Sequence, residues 1–244
     1  MGYDLKYDNK NIPELYVSKL HNWLKAQLIS LDGKSESSLV KREISKLLGK
    51  CPFVPFIALN FMHTIIAVAF ILHTGCRPSE AAFVVQHRTI EKNDYTIKHA
   101  TFNERATAPK EITKTKRDYF WLLCDDFAPF SHKIKQHRAT GFTDYEKLTQ
   151  ALAHYWDRKV VRSAGVPTNP VTKRVYCLRS VRALRATQYI EICMEYKAMN
   201  WEPVPPNPLM HEDIKMTIEK YAIKGCENIY EAKNRCIKKY KDNA

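Results

Sequence analysis

His73-Thr74-Gly75-Cys76-Arg77-Pro78-Ser79-Glu80 closes an almost wholly apolar run that begins at Ile57 and ends at Leu72. The run predicts a buried helix. Gly75 stands where a left-handed helix stop costs least, and Pro78 suits the first turn of a following helix. Arg77 is therefore expected at a helix start, where free backbone N–H groups and a guanidinium can meet an anion together. A structural ion pair with Glu80 explains the same arginine equally well. Taken alone, the stretch predicts a buried helix, a tight corner and a second helix, and no chemistry.

The flanking sequence extends this to a fold class. Upstream, a helix is expected from Pro13 to about Leu28, with Tyr16, Leu20, Trp23, Leu24 and Leu28 on one face. The polar stretch from Leu31 to Ser38 is the best candidate boundary, which sets residues 1–36 apart as a helix and linker. From Leu39 a second stripe, Val40, Ile44, Leu47 and Leu48, predicts a helix that Gly49 ends. Downstream of the corner the period changes. Residues 95–97, 111–113 and 119–123 are rich in aromatic and β-branched side chains and predict two or three short antiparallel strands, with Lys114 to Asp118 as the turn joining the last two. Helices are expected again from about Asp144 to Arg162 and, after a Ser180 cap, from Val181 to about Lys197. A proline-rich connection at 202–208 leads to the segment from His211 to Tyr221, and a basic helix near 228–240 follows. The expected class is mainly α with a small antiparallel β-sheet, an α+β arrangement without internal repeats. Its body would span 37–225, with 226–244 as a C-terminal basic helix.

Composition points to an anionic partner. With 39 Lys+Arg against 26 Asp+Glu among 244 residues, the formal net charge is +13. Such a field attracts nucleic acid, or less often an acidic membrane surface. The basic residues are spread over runs at 114–117, 132–138 and 237–241, each of which taken singly is a solvated face. A hydrophobic content of 45% suffices for a core in one large domain. The seven cysteines, at 51, 76, 124, 177, 193, 226 and 236, show no zinc-like spacing, so an intracellular, reduced protein is expected. The chain opens on polar and charged residues, unlike a secretory signal, and the apolar run contains Asn60 and His63 and is short for a bilayer.

Four further pieces give Arg77 a context: the lysine-bearing turn at 114–118, Arg182-Ala183-Leu184-Arg185-Ala186-Thr187, Leu209-Met210-His211, and Tyr221 ten residues on. In this order and spacing, across about residues 39–225, they resemble the catalytic domain of the tyrosine recombinases, the phage-integrase family. The type IB topoisomerases share that fold and much of the constellation. The resemblance implies a site-specific DNA recombinase or integrase of a mobile or viral element. Tyr221 would attack a scissile phosphate to form a 3′-phosphotyrosyl link. Arg77 and Arg185 would hold the non-bridging oxygens, with Arg182 beside them. Lys114 would be the general acid for the leaving 5′ oxygen, and His211 would contact the phosphate or move a proton. No metal or other cofactor is implied. The implied partners are double-stranded DNA and further copies of the chain, a tetramer on two DNA sites, and no membrane. The implied location is where DNA is, the cytoplasm of a prokaryote or the nucleus of a eukaryotic host. Residues 1–36 would then be the remnant of a DNA-clamping domain, and 226–244, with its stripe of Ile229, Ala232, Cys236, Ile237 and Tyr240, a helix that packs at home or is exchanged between protomers.

The chemistry suits these residue types. Two guanidinium forks can neutralise a phosphodiester that otherwise repels its nucleophile. A tyrosine with a free pKa near ~10 needs cations or a base beside it. The leaving alkoxide needs a proton, and a lysine crowded by arginines has its pKa lowered toward that task. Candidate DNA contacts are Lys116, Arg117, Lys133, Lys135, Arg138, Lys173 and Arg174.

Departures from the family pattern are specific. Arg182 stands where the family usually has histidine, Met210 where it has glycine, and the step from His211 to Tyr221 is one residue longer than usual. A competing register places Arg179 as the second arginine, Lys116 competes with Lys114, and Tyr230 is a second candidate nucleophile. Two other readings stay open: a non-catalytic, architectural DNA-binding protein with this fold, and a topoisomerase-like DNA-relaxing enzyme.

Overall fold

The computed structural model describes residues 12–31, 61–97, 100–136, 152, 155–156, 160–170, 173–202, 206–211 and 217. Five helices and three strands lie within them. Helix α1 is Glu14–Leu31, α2 Phe61–Thr74 and α3 Pro78–His87. Strands β1 (Ile90–Ile97), β2 (Ala100–Ala108) and β3 (Tyr119–Leu123) follow, then a 3₁₀ turn, Asp125–Phe127, helix α4 (Ala128–Gln136), a single turn at Val161–Ser163, and α5 (Leu178–Ala198).

Helix α2 is the centre of the molecule. Every residue from Ile65 to Leu72 is buried, as a helix with apolar residues on all faces requires. It packs against α1, α3, α4 and α5. Helix α1 has the narrower stripe expected of a peripheral helix: Val17, Leu20, Leu24 and Leu28 are buried in the same cluster as α2, while Leu15 and Ile29 face outward. Lys19 Nζ donates to the Gly165 carbonyl at 3.0 Å, which ties α1 to the segment after Val161–Ser163.

The sheet is antiparallel in the order β1-β2-β3. Ile90 pairs with Ala106 and Ile97 with Ala100; Glu104 pairs with Leu123 and Ala108 with Tyr119. Alternation along β3 buries Tyr119, Trp121 and Leu123 and leaves Phe120 exposed. Trp121 meets Phe70 of α2 edge-on at 5.5 Å, so the inner face of the sheet closes the α2 core.

Two expectations change. The strand expected at 111–113 belongs to the β2–β3 loop, because the Thr113 hydroxyl donates to the Arg117 carbonyl at 2.6 Å and accepts the Arg117 N–H at 3.1 Å, closing the loop on itself. The strand actually paired there is β2, in which Thr101, Phe102 and Thr107 are interrupted by alanines and by Asn103, Glu104 and Arg105. Ser180 is not the cap of α5: the helix begins at Leu178, and the Ser180 N–H already donates to Cys177 at 2.9 Å. The expected helices at 39–48 and 228–240, most of that at 144–162, and the linker at 32–38 lie outside the described residues. Among the described residues no helix is long and apolar enough to cross a membrane.

Candidate phosphate-binding site

Gly75 ends α2 at φ +70°, with its N–H on the Ile71 carbonyl at 2.8 Å. The Thr74 hydroxyl donates back to Phe70 at 2.8 Å and accepts the Cys76 N–H at 3.1 Å, so the corner is closed by its own side chain. Arg77 is the N-cap of α3, with Pro78 in the first turn. Glu80, 1% exposed, accepts the Arg77 N–H at 2.7 Å and the Arg77 Nη1 at 2.6 Å. The ion pair and the helix-start position foreseen for Arg77 are thus both present.

Helix α5 lies directly on this corner. A Cβ on Gly75 would stand 2.8 Å from Arg185 Cβ, 3.0 Å from its Cγ and 3.5 Å from Arg182 Cα. The glycine is required twice over, for its backbone angle and for this approach. Arg185 Nε donates to the Leu72 carbonyl at 2.9 Å, satisfying one of the open carbonyls at the end of α2. Its Nη1 donates to Gln188 Oε1 at 2.6 Å and lies 3.6 Å from Glu14 Oε1, while Gln188 Nε2 donates to Glu14 Oε2 at 2.6 Å. Burial lowers the pKa of Arg185, opposed by Glu14 and Cys124; a guanidinium starts high enough to stay charged. Arg182 is 6% exposed. Its Nη1 donates to the Gly75 carbonyl at 2.8 Å and its Nη2 to the Leu209 carbonyl at 3.2 Å. Arg179, the alternative second arginine, is exposed.

The turn from Asn207 to His211 is built by one side chain. Asn207 Oδ1 accepts the Leu209 N–H at 2.9 Å, its carbonyl accepts the Met210 N–H at 2.8 Å, and its amide donates to Thr217 Oγ1 at 2.9 Å. The buried His211 has Nδ1 2.8 Å from the same Thr217 oxygen. Trp121 Nε1 donates to the Pro208 carbonyl at 2.9 Å, fixing the turn to β3. Met210 has φ +55°, the left-handed region that favours glycine, which is the residue the resembled family places there.

Gly75, Arg182, Arg185 and the Leu209 carbonyl therefore meet at one point, with Arg77 and His211 each two residues beyond it in the chain. Lys114 does not join them among the described residues. It is exposed in the β2–β3 loop with Lys116, whose φ is +58°, and Arg117. Lys133 is half-buried on α4, and Lys173 and Arg174 are exposed. The side chain of Lys135, and Arg138, Tyr221 and Tyr230, lie outside the described residues.

No family model matches the chain, and no curated protein or solved structure matches it significantly.

One residue of this neighbourhood carries no motif: His73 lies beside Arg185 where two cavities meet. The first, about 240 Å³, is mainly apolar, with Phe102, Phe120, Tyr189, Ile192 and Met210 in its wall; the second, about 210 Å³, has Glu14, His21, Lys25 and Asp126. His73 and Arg185 line both. Burial, followed by the charges of Arg185 and His21, lowers the His73 pKa to about 3. The neutral ring suits its setting: Nε2 accepts the Cys124 N–H at 3.3 Å, which a protonated Nε2 could not do. Position within the 73–80 stretch was the only available signal for it.

Proposed function

We propose that the chain is a DNA strand-exchange enzyme, a site-specific recombinase or integrase that cleaves and rejoins DNA through a tyrosyl intermediate. One observation carries most of the weight. The Arg77 corner, the helix bearing Arg185 and the His211 turn, which are far apart in sequence, are locked together through Gly75, Arg182 and Leu209. Two guanidiniums at the rim of one helix junction suit a phosphodiester better than a neutral substrate. The net charge of +13 supports a polyanionic partner. In this reading Arg77 and Arg185 exchange Glu80, Gln188 and Glu14 for phosphate oxygens, Tyr221 attacks, and Lys114 or Lys116 protonates the leaving oxygen once the loop lies on DNA. His211 acts through Nε2, since Nδ1 faces Thr217. Assembly on DNA, a tetramer on two sites, belongs to the same reading.

The architectural alternative draws on a specific feature: Arg182 is committed to backbone carbonyls, and both other arginines already contact protein acceptors. A pool of nicked duplexes of random sequence separates the two readings, because the freed end diffuses away and traps the intermediate. The enzyme forms a covalent protein–DNA adduct; binding without any adduct would support the architectural reading.

A further inference from the structure

We infer that Arg182 is a positioning residue, which sets the Arg77 corner and the His211 turn at a fixed separation without itself touching the phosphate. The inference rests on the site reading above. Gly75 and Leu209, whose carbonyls accept the two Nη groups, each lie two residues before a proposed phosphate ligand, Arg77 and His211. The guanidinium is planar and rigid, so the two acceptors cannot move apart without losing a charge-assisted hydrogen bond. At 6% exposure, the group lies beneath the surface that a DNA backbone would reach. Arg182 Cα also lies under Gly75, so the side chain leaves α5 at the point of closest packing and spans from there to the turn.

Arginine in place of the family's histidine thereby acquires a physical account. An imidazole is too short to bridge both carbonyls and has only two ring nitrogens, whereas an arginine can hold each segment with a separate nitrogen. Lysine has the charge without the fork. Arg182 thus fixes the residues around the phosphate instead of reaching it, and Arg77, Arg185 and His211 are left as the direct ligands.

Guanidinium ¹⁵N NMR on the full-length wild-type chain tests this. The Nη signals of Arg182 should show hindered rotation in the free protein and stay unmoved on titration with a random-sequence duplex, while those of Arg77 and Arg185 shift. Arg182 signals that move with DNA would overturn the proposal. Arg182→Gln, which removes both the fork and the charge, assigns the signals and supplies a second measurement. Amide exchange at 75–80 and 207–211 should rise together, at least tenfold, while the salt dependence of duplex binding is unchanged. A salt slope lowered by about one, with exchange unchanged in both segments, would show that Arg182 neutralises a phosphate directly. If wild-type protein yields no adduct on nicked DNA, the recombinase reading fails, but the rotation and exchange results still decide whether Arg182 braces the two segments.

Discussion

Gly75 and Arg185 approach so closely that a single added methyl on the glycine would lie 2.8 Å from the arginine Cβ. The end of α2 and the face of α5 are in backbone-to-side-chain contact there, and Arg77 is only two residues further on. Gly75→Ala combines a left-handed alanine with this clash, and α5 has to move. We expect a loss of about 2–4 kcal/mol in urea unfolding, together with weaker duplex binding.

Glu14 and Gln188 compete with any anion for Arg185. Glu14 is half exposed, so Glu14→Gln should change stability by less than about 1 kcal/mol. The same change removes a carboxylate beside the guanidinium and should tighten duplex binding at low salt, measured by fluorescence anisotropy. Weaker binding would show that Glu14 orients Arg185 rather than occupying it.

His73 and His21 make the fold acid-sensitive. Burial lowers both pKa values, that of His73 to about 3, against about 6.5 for an unfolded histidine. Between these values the unfolded chain binds protons that the folded chain excludes, so stability is full above pH ~6.5 and declines as pH falls toward 3. Urea midpoints should fall between pH 7 and pH 4, and His73→Gln should flatten that decline. A profile unchanged by the substitution would mean that His73 charges in the folded state at no cost.

Lys114, Lys116 and Arg117 stand on one exposed loop braced by Thr113. Replacing Lys114 and Lys116 together by alanine should lower the slope of log K against log salt by about two for duplex binding. Of the two single variants, only the one that removes the general acid should also abolish adduct formation.

Much of the fold was legible where one side chain had one use. The apolar α2, Gly75 as its stop and Pro78 at the start of α3 follow from burial and backbone angle alone. Strand β2 was hidden because Ala106 and Ala108, its buried positions, carry little β signal, and its extended form is imposed by β1 and β3 on either side. Thr113 misled for the opposite reason: a β-branched residue served as a loop clasp. Around the Gly75 corner, the succession of Arg77, Arg185 and His211 is plain in the chain, but the partners of the Arg182 guanidinium are not. Whether a guanidinium meets a phosphate or a carbonyl depends on how deeply packing buries it, and that is settled by Gly75 and Leu209, far away in sequence.

Peptide mapping of the trapped protein–DNA adduct tests the central claim most directly. After trypsin, Tyr221 begins the peptide ending at Lys224, whereas Tyr230 lies in the next, ending at Lys233. The account predicts a nucleotide mass on Tyr221, and no adduct from Tyr221→Phe. A nucleotide on Tyr230, or an adduct that persists in Tyr221→Phe, would contradict it.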